Sequence, residues 1–231
     1  TGTADLNYVH VESLIGGSGD DVLSFAAFST ARDIQLTDVG TVDGFDVTET
    51  SFTGAFENIN TLVGSSAGDD ALTGLDEIST WQLNGAINTY TSTNVLTFSV
   101  IENLVGGSDA DTFTIADGAT FDGSVVGRAG SDALDYTNYN SAVDVSLSGG
   151  DANGFSGTGA GLTGSFSGVD QIDGGLSDDT LTGADQAGTW QIGGSNQYTL
   201  TSTLNFSSFE TLIGGGDADT FNISGDRYLE T

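Results

Sequence analysis

The chain contains no cysteine, proline, methionine or lysine, and only 3 arginines and 1 histidine among its 231 residues. Without cysteine there is no disulfide framework and no thiolate metal site, and nothing that reports a redox compartment. The single histidine, His10, reads as a surface residue. A zinc centre needs companions that are missing, and no nucleophile–base pair can be assigned from many serines and one imidazole. The scarcity of cations excludes a further class. Phosphate recognition relies on Lys and Arg, so nucleic acid is not an expected partner, and an anionic membrane surface is disfavoured for the same reason. No apolar run approaches 18 residues, so membrane insertion is not expected either. The opening TGTADLNYVH carries neither the basic nor the apolar region of a secretory leader, and it begins in mid-pattern. The chain therefore reads as an excerpt of something longer.

What is present is glycine and acid. There are 35 glycines and 33 acidic residues, and the formal net charge is −30. Most of the acids are aspartate, the carboxylate that suits turns and oxygen-ligated cations rather than helix interiors. A charge of this size repels itself at low ionic strength, so the fold is expected to prefer salt or divalent ions. A hydrophobic content of 37%, carried by Leu, Ile, Val, Phe and Tyr, argues against plain disorder.

The sequence repeats internally. STWQLNGAINTYTSTNVLTFSVIENLVGGSDADTF (79–113) is echoed by GTWQIGGSNQYTLTSTLNFSSFETLIGGGDADTF (188–221), with Trp81 answering Trp190, Tyr90 answering Tyr198 and Phe113 answering Phe221. LIGGSGDDVLSFAAFSTARDIQL (14–36) likewise matches VVGRAGSDALDYTNYNSAVDVSL (125–147). Two copies of a long unit follow, approximately 14–115 and 125–223, inside one elongated repeat domain spanning 1–231. Each copy holds three Gly/Asp turns, and phrases such as IENL lead into them. The turns are GGSGDD, GSSAGDD and GGSDAD, then GRAGSD, GGLSDD and GGGDAD. Their last residues, Asp21, Asp70, Asp111, Asp132, Asp179 and Asp219, are separated by 49, 41, 21, 47 and 40 residues. These gaps lie near one or two times a step of about 20 residues, which suits one coil of a parallel β-solenoid.

The expected fold is therefore all-β, a parallel β-solenoid of about 11 coils, with DVSLSG, LTFSV and DTFTI as strands. Leu, Ile, Val and Phe would face inward and Thr and Ser outward. The Gly-Gly pairs are expected to turn each corner with positive φ. The alternative is a pair of tandem antiparallel β-sandwiches, since the long unit is also of immunoglobulin-like size.

The turns resemble degenerate hemolysin-type calcium-binding repeats of the RTX family, whose pattern is GGxGxDxUx with U a large aliphatic. GGSGDDVLS fits through Gly16, Gly17, Gly19, Asp21 and Leu23. GGSDADTFT and GGGDADTFN keep the glycine pair, Asp111 with Phe113 and Asp219 with Phe221, and put Asp109 and Asp217 at the third glycine. The resemblance implies Ca²⁺ held between turns, and the candidate ligands are Asp21, Asp70, Asp109, Asp111, Asp132, Asp179, Asp217 and Asp219. The pattern departs from the family in isolating its turns instead of repeating them in tandem. The longer unit is similar to large bacterial surface and adhesin-type exoproteins, the filamentous-haemagglutinin-like class. That likeness implies a secreted, cell-surface structural module that gives reach and stiffness, adheres to a cell-surface glycan or protein, or associates end to end into filaments.

No catalytic residue is assigned. The acid pairs Asp20–Asp21, Asp69–Asp70 and Asp178–Asp179 could suggest glycosidase chemistry, but they recur at equivalent turns, whereas a catalytic pair stands once. Trp81 and Trp190 could stack on sugar rings if exposed, and a core role in each copy is the expectation. A glycan-binding module, or a non-catalytic appendage of a polysaccharide-acting enzyme, is the alternative function.

Overall fold

A computed structural model describes residues 13–224. His10, singled out above, and Arg227, one of the three arginines, lie outside the described residues. The described chain is all-β, with 24 strands and no helix. The first copy supplies β1 (Ser13–Ile15), β2 (Val22–Ser24), β3 (Asp33–Val39), β4 (Phe45–Glu49), β5 (Ala55–Ile59) and β6 (Thr61–Val63). It continues with β7 (Ala71–Thr73), β8 (Ser79–Leu83), β9 (Asn88–Thr91), β10 (Val95–Ser99), β11 (Asn103–Val105) and β12 (Asp111–Ile115). The second copy opens with β13 (Ser124–Val126), β14 (Ala133–Asp135), β15 (Asp144–Asp151), β16 (Gly154–Gly159), β17 (Phe166–Val169) and β18 (Gln171–Asp173). It closes with β19 (Thr180–Thr182), β20 (Thr189–Ile192), β21 (Gln197–Thr199), β22 (Thr203–Ser207), β23 (Thr211–Ile213) and β24 (Thr220–Ile223).

These strands form two mixed sheets of 12 strands each, in the orders β1-β5-β4-β3-β7-β11-β13-β17-β16-β15-β19-β23 and β2-β6-β10-β9-β8-β12-β14-β18-β22-β21-β20-β24. The second half of each order repeats the first, strand for strand, with twelve added to every label. The repeat seen in the letters is thus a repeat of pairing.

Most of the three-residue strands place one apolar side chain inward between two outward residues. Leu62, Leu104, Leu134, Ile172 and Leu181 are such central residues, all buried. Register then lines them up. In the second sheet Trp81, Phe113, Leu134, Ile172 and Phe206 are successive partners in parallel pairs. Neighbours along such a ladder sit about 4.8 Å apart, so each buries its predecessor.

The uniform step of about 20 residues is corrected by this topology. Four antiparallel meanders, β3-β4-β5, β8-β9-β10, β15-β16-β17 and β20-β21-β22, interrupt the parallel pairs. They lengthen the path between turns, which explains the four gaps of 40 to 49 residues. Only Asp111 to Asp132 runs from one parallel partner, β12, straight to the next, β14. The β8-β9-β10 meander is held by Trp81 against Tyr90, ring centroids 4.6 Å apart. A Cβ on Gly74 would lie 2.9 Å from the Trp81 ring and 3.0 Å from Tyr90, and Gly183 stands equally close to Trp190. Glycine is needed there for space. Both tryptophans are fully buried, as the core reading expected.

Candidate functional site

The candidate site is the set of Gly/Asp turns. Four of their aspartates, Asp70, Asp111, Asp132 and Asp179, have no exposed surface. An ionised carboxylate can be buried only if donors replace its water. The turns provide them. The N–H of Gly107 donates to Asp111 Oδ2 at 2.7 Å, and Gly17 to Asp21 and Gly215 to Asp219 do the same at 2.7 and 2.9 Å. Ser65 and Gly175 fill this role for Asp70 and Asp179. Each such aspartate closes its own turn.

The second oxygen reaches to an earlier segment of the chain. Oδ1 of Asp70 accepts the Arg32 N–H, Oδ1 of Asp179 the Val143 N–H at 2.7 Å, and Oδ1 of Asp219 the Gly188 N–H at 3.0 Å. Asp111 Oδ1 takes the Ser79 hydroxyl and, at 3.4 Å, the Trp81 indole N–H. Asp132 Oδ1 accepts the Asp111 N–H at 2.9 Å, which joins the two turns that stand about one step apart in sequence. The carboxylates act as cross-braces between successive turns.

Four residues that sequence reasoning missed complete the bracing. Asn60, Glu102, Asp170 and Glu210 each accept the backbone N–H of a turn aspartate, respectively Asp21 at 3.1 Å, Asp70 at 2.9 Å, Asp132 at 3.2 Å and Asp179 at 2.8 Å. Each returns its own N–H to that aspartate's carbonyl, at 3.0, 3.1, 2.8 and 3.2 Å. This reciprocal clasp explains the recurring phrase. The polar residue stands just before the strand in INTL, IENL, VDQI and FETL, where a side-chain acceptor faces the preceding turn. The signal was visible as a recurrent acid or amide two places ahead of an inward-facing aliphatic, buried at Leu62, Leu104 and Ile172 and half-buried at Leu212.

The glycine pairs have a different purpose from the one expected. Neither residue of Gly106–Gly107 nor of Gly214–Gly215 has a positive φ; that conformation falls on Gly68, Gly130 and others. The reason for glycine is proximity. A Cβ on Gly107 would meet the Leu75 carbonyl oxygen at 1.9 Å, and one on Gly215 the Ala184 carbonyl oxygen at 1.7 Å. The turn is pressed against backbone.

Asp132 departs from the pattern. Arg128 stands where the other turns have Gly or Ser, its φ is 78°, and no hydrogen bond reaches Asp132 Oδ2. Burial pushes the Asp132 carboxyl up to about 7; the Asp111 N–H opposes this and the Asp111 and Asp170 charges add to it. Burial also raises Asp111, against bonds from Ser79, Gly107 and Trp81, and raises Asp170 against the Asp132 N–H. Among the described residues Arg128 forms no ion pair with an acidic neighbour. Among the described residues the ion pair is Arg32–Glu49, at 3.7 Å, with Arg32 also 4.5 Å from the centre of the Phe28 ring.

The implied calcium ligands divide by exposure. Asp109 and Asp217 are exposed, Asp21 and Asp219 half-buried and the other four buried. Among the described residues no group of three or more acidic or imidazole side chains converges as a metal-holding set; the buried carboxylates accept backbone and side-chain donors, except at Asp132 Oδ2. No protein-family model matches this sequence, and no match was found among curated proteins or among solved structures.

Proposed function

We propose that the two sheets are the long faces of a parallel β-solenoid, and that the chain is a non-enzymatic structural module of a large, secreted bacterial surface or adhesin-like protein. The observation that carries this reading is the recurrence of pairing: the strand order of β1 to β12 is repeated by β13 to β24, and the two copies join in series through parallel pairs of the kind found inside each copy. A unit that continues itself in this way lends length and stiffness with each added repeat. Twelve strands at about 4.8 Å correspond to a body of roughly 50 Å. Small-angle scattering of the monomer tests it. A rod-like profile of that length is expected, and a compact globule overturns the reading.

Calcium belongs to this proposal as a matter of charge. Cations that gather on a surface of −30 relieve repulsion without a dedicated cage. A glycan-binding role has one observation in its favour, a groove of about 300 Å³ lined by Gln171, Asp173, Asn196, Asn205 and Ser207. These side chains offer the amides and carboxylate that hydrogen-bond sugar hydroxyls. The burial of both tryptophans removes the aromatic platform that the sequence left open.

A further inference from the structure

One three-strand platform occurs twice on the second sheet, and its outward side chains differ between the copies. In the first copy β6, β10 and β9 pair Thr61 with Thr97, Val63 with Ser99 and Thr97 with Thr89. In the second copy β18, β22 and β21 pair Gln171 with Asn205, Asp173 with Ser207 and Asn205 with Gln197. The pairing matches position for position. The inward residues between these pairs keep their character: Leu62, Phe98 and Tyr90 answer Ile172, Phe206 and Tyr198, all buried. Packing therefore gives no reason for the outward change, which replaces threonine and valine with longer side chains that hydrogen-bond.

The new side chains converge. Gln171, Asn205 and Gln197 form one row across strands about 4.8 Å apart, and Asp173 and Ser207 form the next. Gln171, Asp173, Asn205 and Ser207 line the groove of about 300 Å³. Two donors hold the Asp173 carboxylate, Gln171 Nε2 on Oδ2 at 2.6 Å and the Ser207 hydroxyl on Oδ1 at 2.6 Å. A carboxylate offers about four acceptor sites, so each Asp173 oxygen keeps one. Gln197 Nε2 donates to Asn205 Oδ1 at 3.0 Å, which leaves the Asn205 amide nitrogen as a donor. Both floor strands lie inside the sheet, β18 between β14 and β22 and β22 between β18 and β21. The groove is not built on an open edge.

We propose, resting on the glycan-binding reading given above, that this groove is a subsite for a neutral glycan chain, carried by the second copy and not by the first. Asp173 accepts two adjacent sugar hydroxyls, one on each oxygen, and Asn205 donates to a third oxygen. Gln171, Gln197 and Ser207 position those two side chains. A hydroxyl both donates and accepts, so it matches a surface where acceptors and donors stand side by side. Acidic sugars are repelled. Asp135 stands beside Asp173 in the register, and the whole chain carries −30. Phe206 is 5% exposed and offers no ring for stacking, so the site is weak, with a Kd of about 1 mM. Weak sites suit a repeated module, in which linked copies add avidity.

Backbone and side-chain amide signals in ¹H–¹⁵N spectra of the 231-residue chain provide the test. Neutral hexasaccharides of glucose, galactose, mannose and N-acetylglucosamine are each added to about 10 mM. At least one should shift the Gln171 and Asn205 side-chain signals and the Ile172 and Phe206 backbone signals in a saturable way, and hexagalacturonate should not. A control protein carries the first copy's residues: Gln171→Thr, Asp173→Val, Gln197→Thr and Asn205→Thr. The first copy already holds those residues on the same pairing, so the melting transition should stay in place. Binding, read from the Ile172 and Phe206 backbone signals, should weaken roughly tenfold or more. Unchanged binding by that protein, or equal binding of hexagalacturonate, overturns the neutral subsite. Saturable shifts confined to other residues overturn this groove and leave a glycan-binding role standing elsewhere. No shift with any neutral sugar overturns both.

Discussion

Phe113 and Phe221 are the same residue of the same repeat, and both stack on a tryptophan, 5.5 Å from Trp81 and 5.6 Å from Trp190 between ring centroids. One is sealed by β14 and the other faces outward. Residue type and local partner are identical, so the difference comes from the next strand alone. In this architecture a side chain is buried by its successor. Stability should therefore be graded along the molecule, with the central joint tighter than either edge.

The largest expected effect puts that grading to the test. Phe113→Ala opens a cavity between Trp81 and Leu134 and should cost about 3–5 kcal/mol, while Phe221→Ala should cost roughly 1 kcal/mol because part of the ring is already in water. Denaturant melts of the two variants check this, and equal losses would mean that the edge is covered. Next comes the turn backbone. Gly107→Ala forces a Cβ into the Leu75 carbonyl, for a loss of about 2–4 kcal/mol, whereas Gly17→Ala, with open space around it, should be neutral within about 0.5 kcal/mol.

Asp132 provides a pH-dependent contrast with its better-bonded counterparts. Its folded pKa of about 7 lies above the ordinary 3.8. The native state therefore holds a proton that the unfolded chain has released, and stability falls as pH rises from about 4 through 7, then levels off. Asp132→Asn should raise the unfolding free energy at pH 8 by about 1–2 kcal/mol after allowance for solvent screening, and change little at pH 4. A gain that is equal at both pH values would show that ionisation is not the cause. Asp111→Asn gives up a carboxylate with several donors and should destabilise at pH 8. The smallest effect concerns cations. Millimolar Ca²⁺ should raise the melting temperature somewhat more than NaCl of equal ionic strength. Neutralising the exposed pair, Asp109→Asn with Asp217→Asn, should reduce the difference. Identical melts in the two salts would leave only general screening.

Much of this was legible in the sequence because the repeat samples each environment twice. Trp81 with Trp190 and Phe113 with Phe221 marked equivalent positions before any fold was assigned, and DTFTI became β12 with the same bounds. The alternation of apolar and polar residues dictated strands, and recurrent aspartates dictated braced turns, since short-range chemistry is written in neighbouring letters. Other features depended on long-range pairing. The meanders could not be read because NTYT and TLNFS carry the same alternation whether they pair parallel or antiparallel; the choice rests on partners tens of residues away. The glycine pairs, equally, were conspicuous as letters but not in purpose. Only the approach of the Leu75 and Ala184 carbonyls shows that they are there for lack of a Cβ and not for positive φ. The clasps from Asn60, Glu102, Asp170 and Glu210 belong to the same class. Composition and period determined that this chain would be a β-rich stack with acid-closed turns. Which carboxylate ends fully bonded and which, like Asp132, is left with an oxygen unmatched was decided by tertiary structure, because it depends on whose backbone N–H arrives from the neighbouring turn.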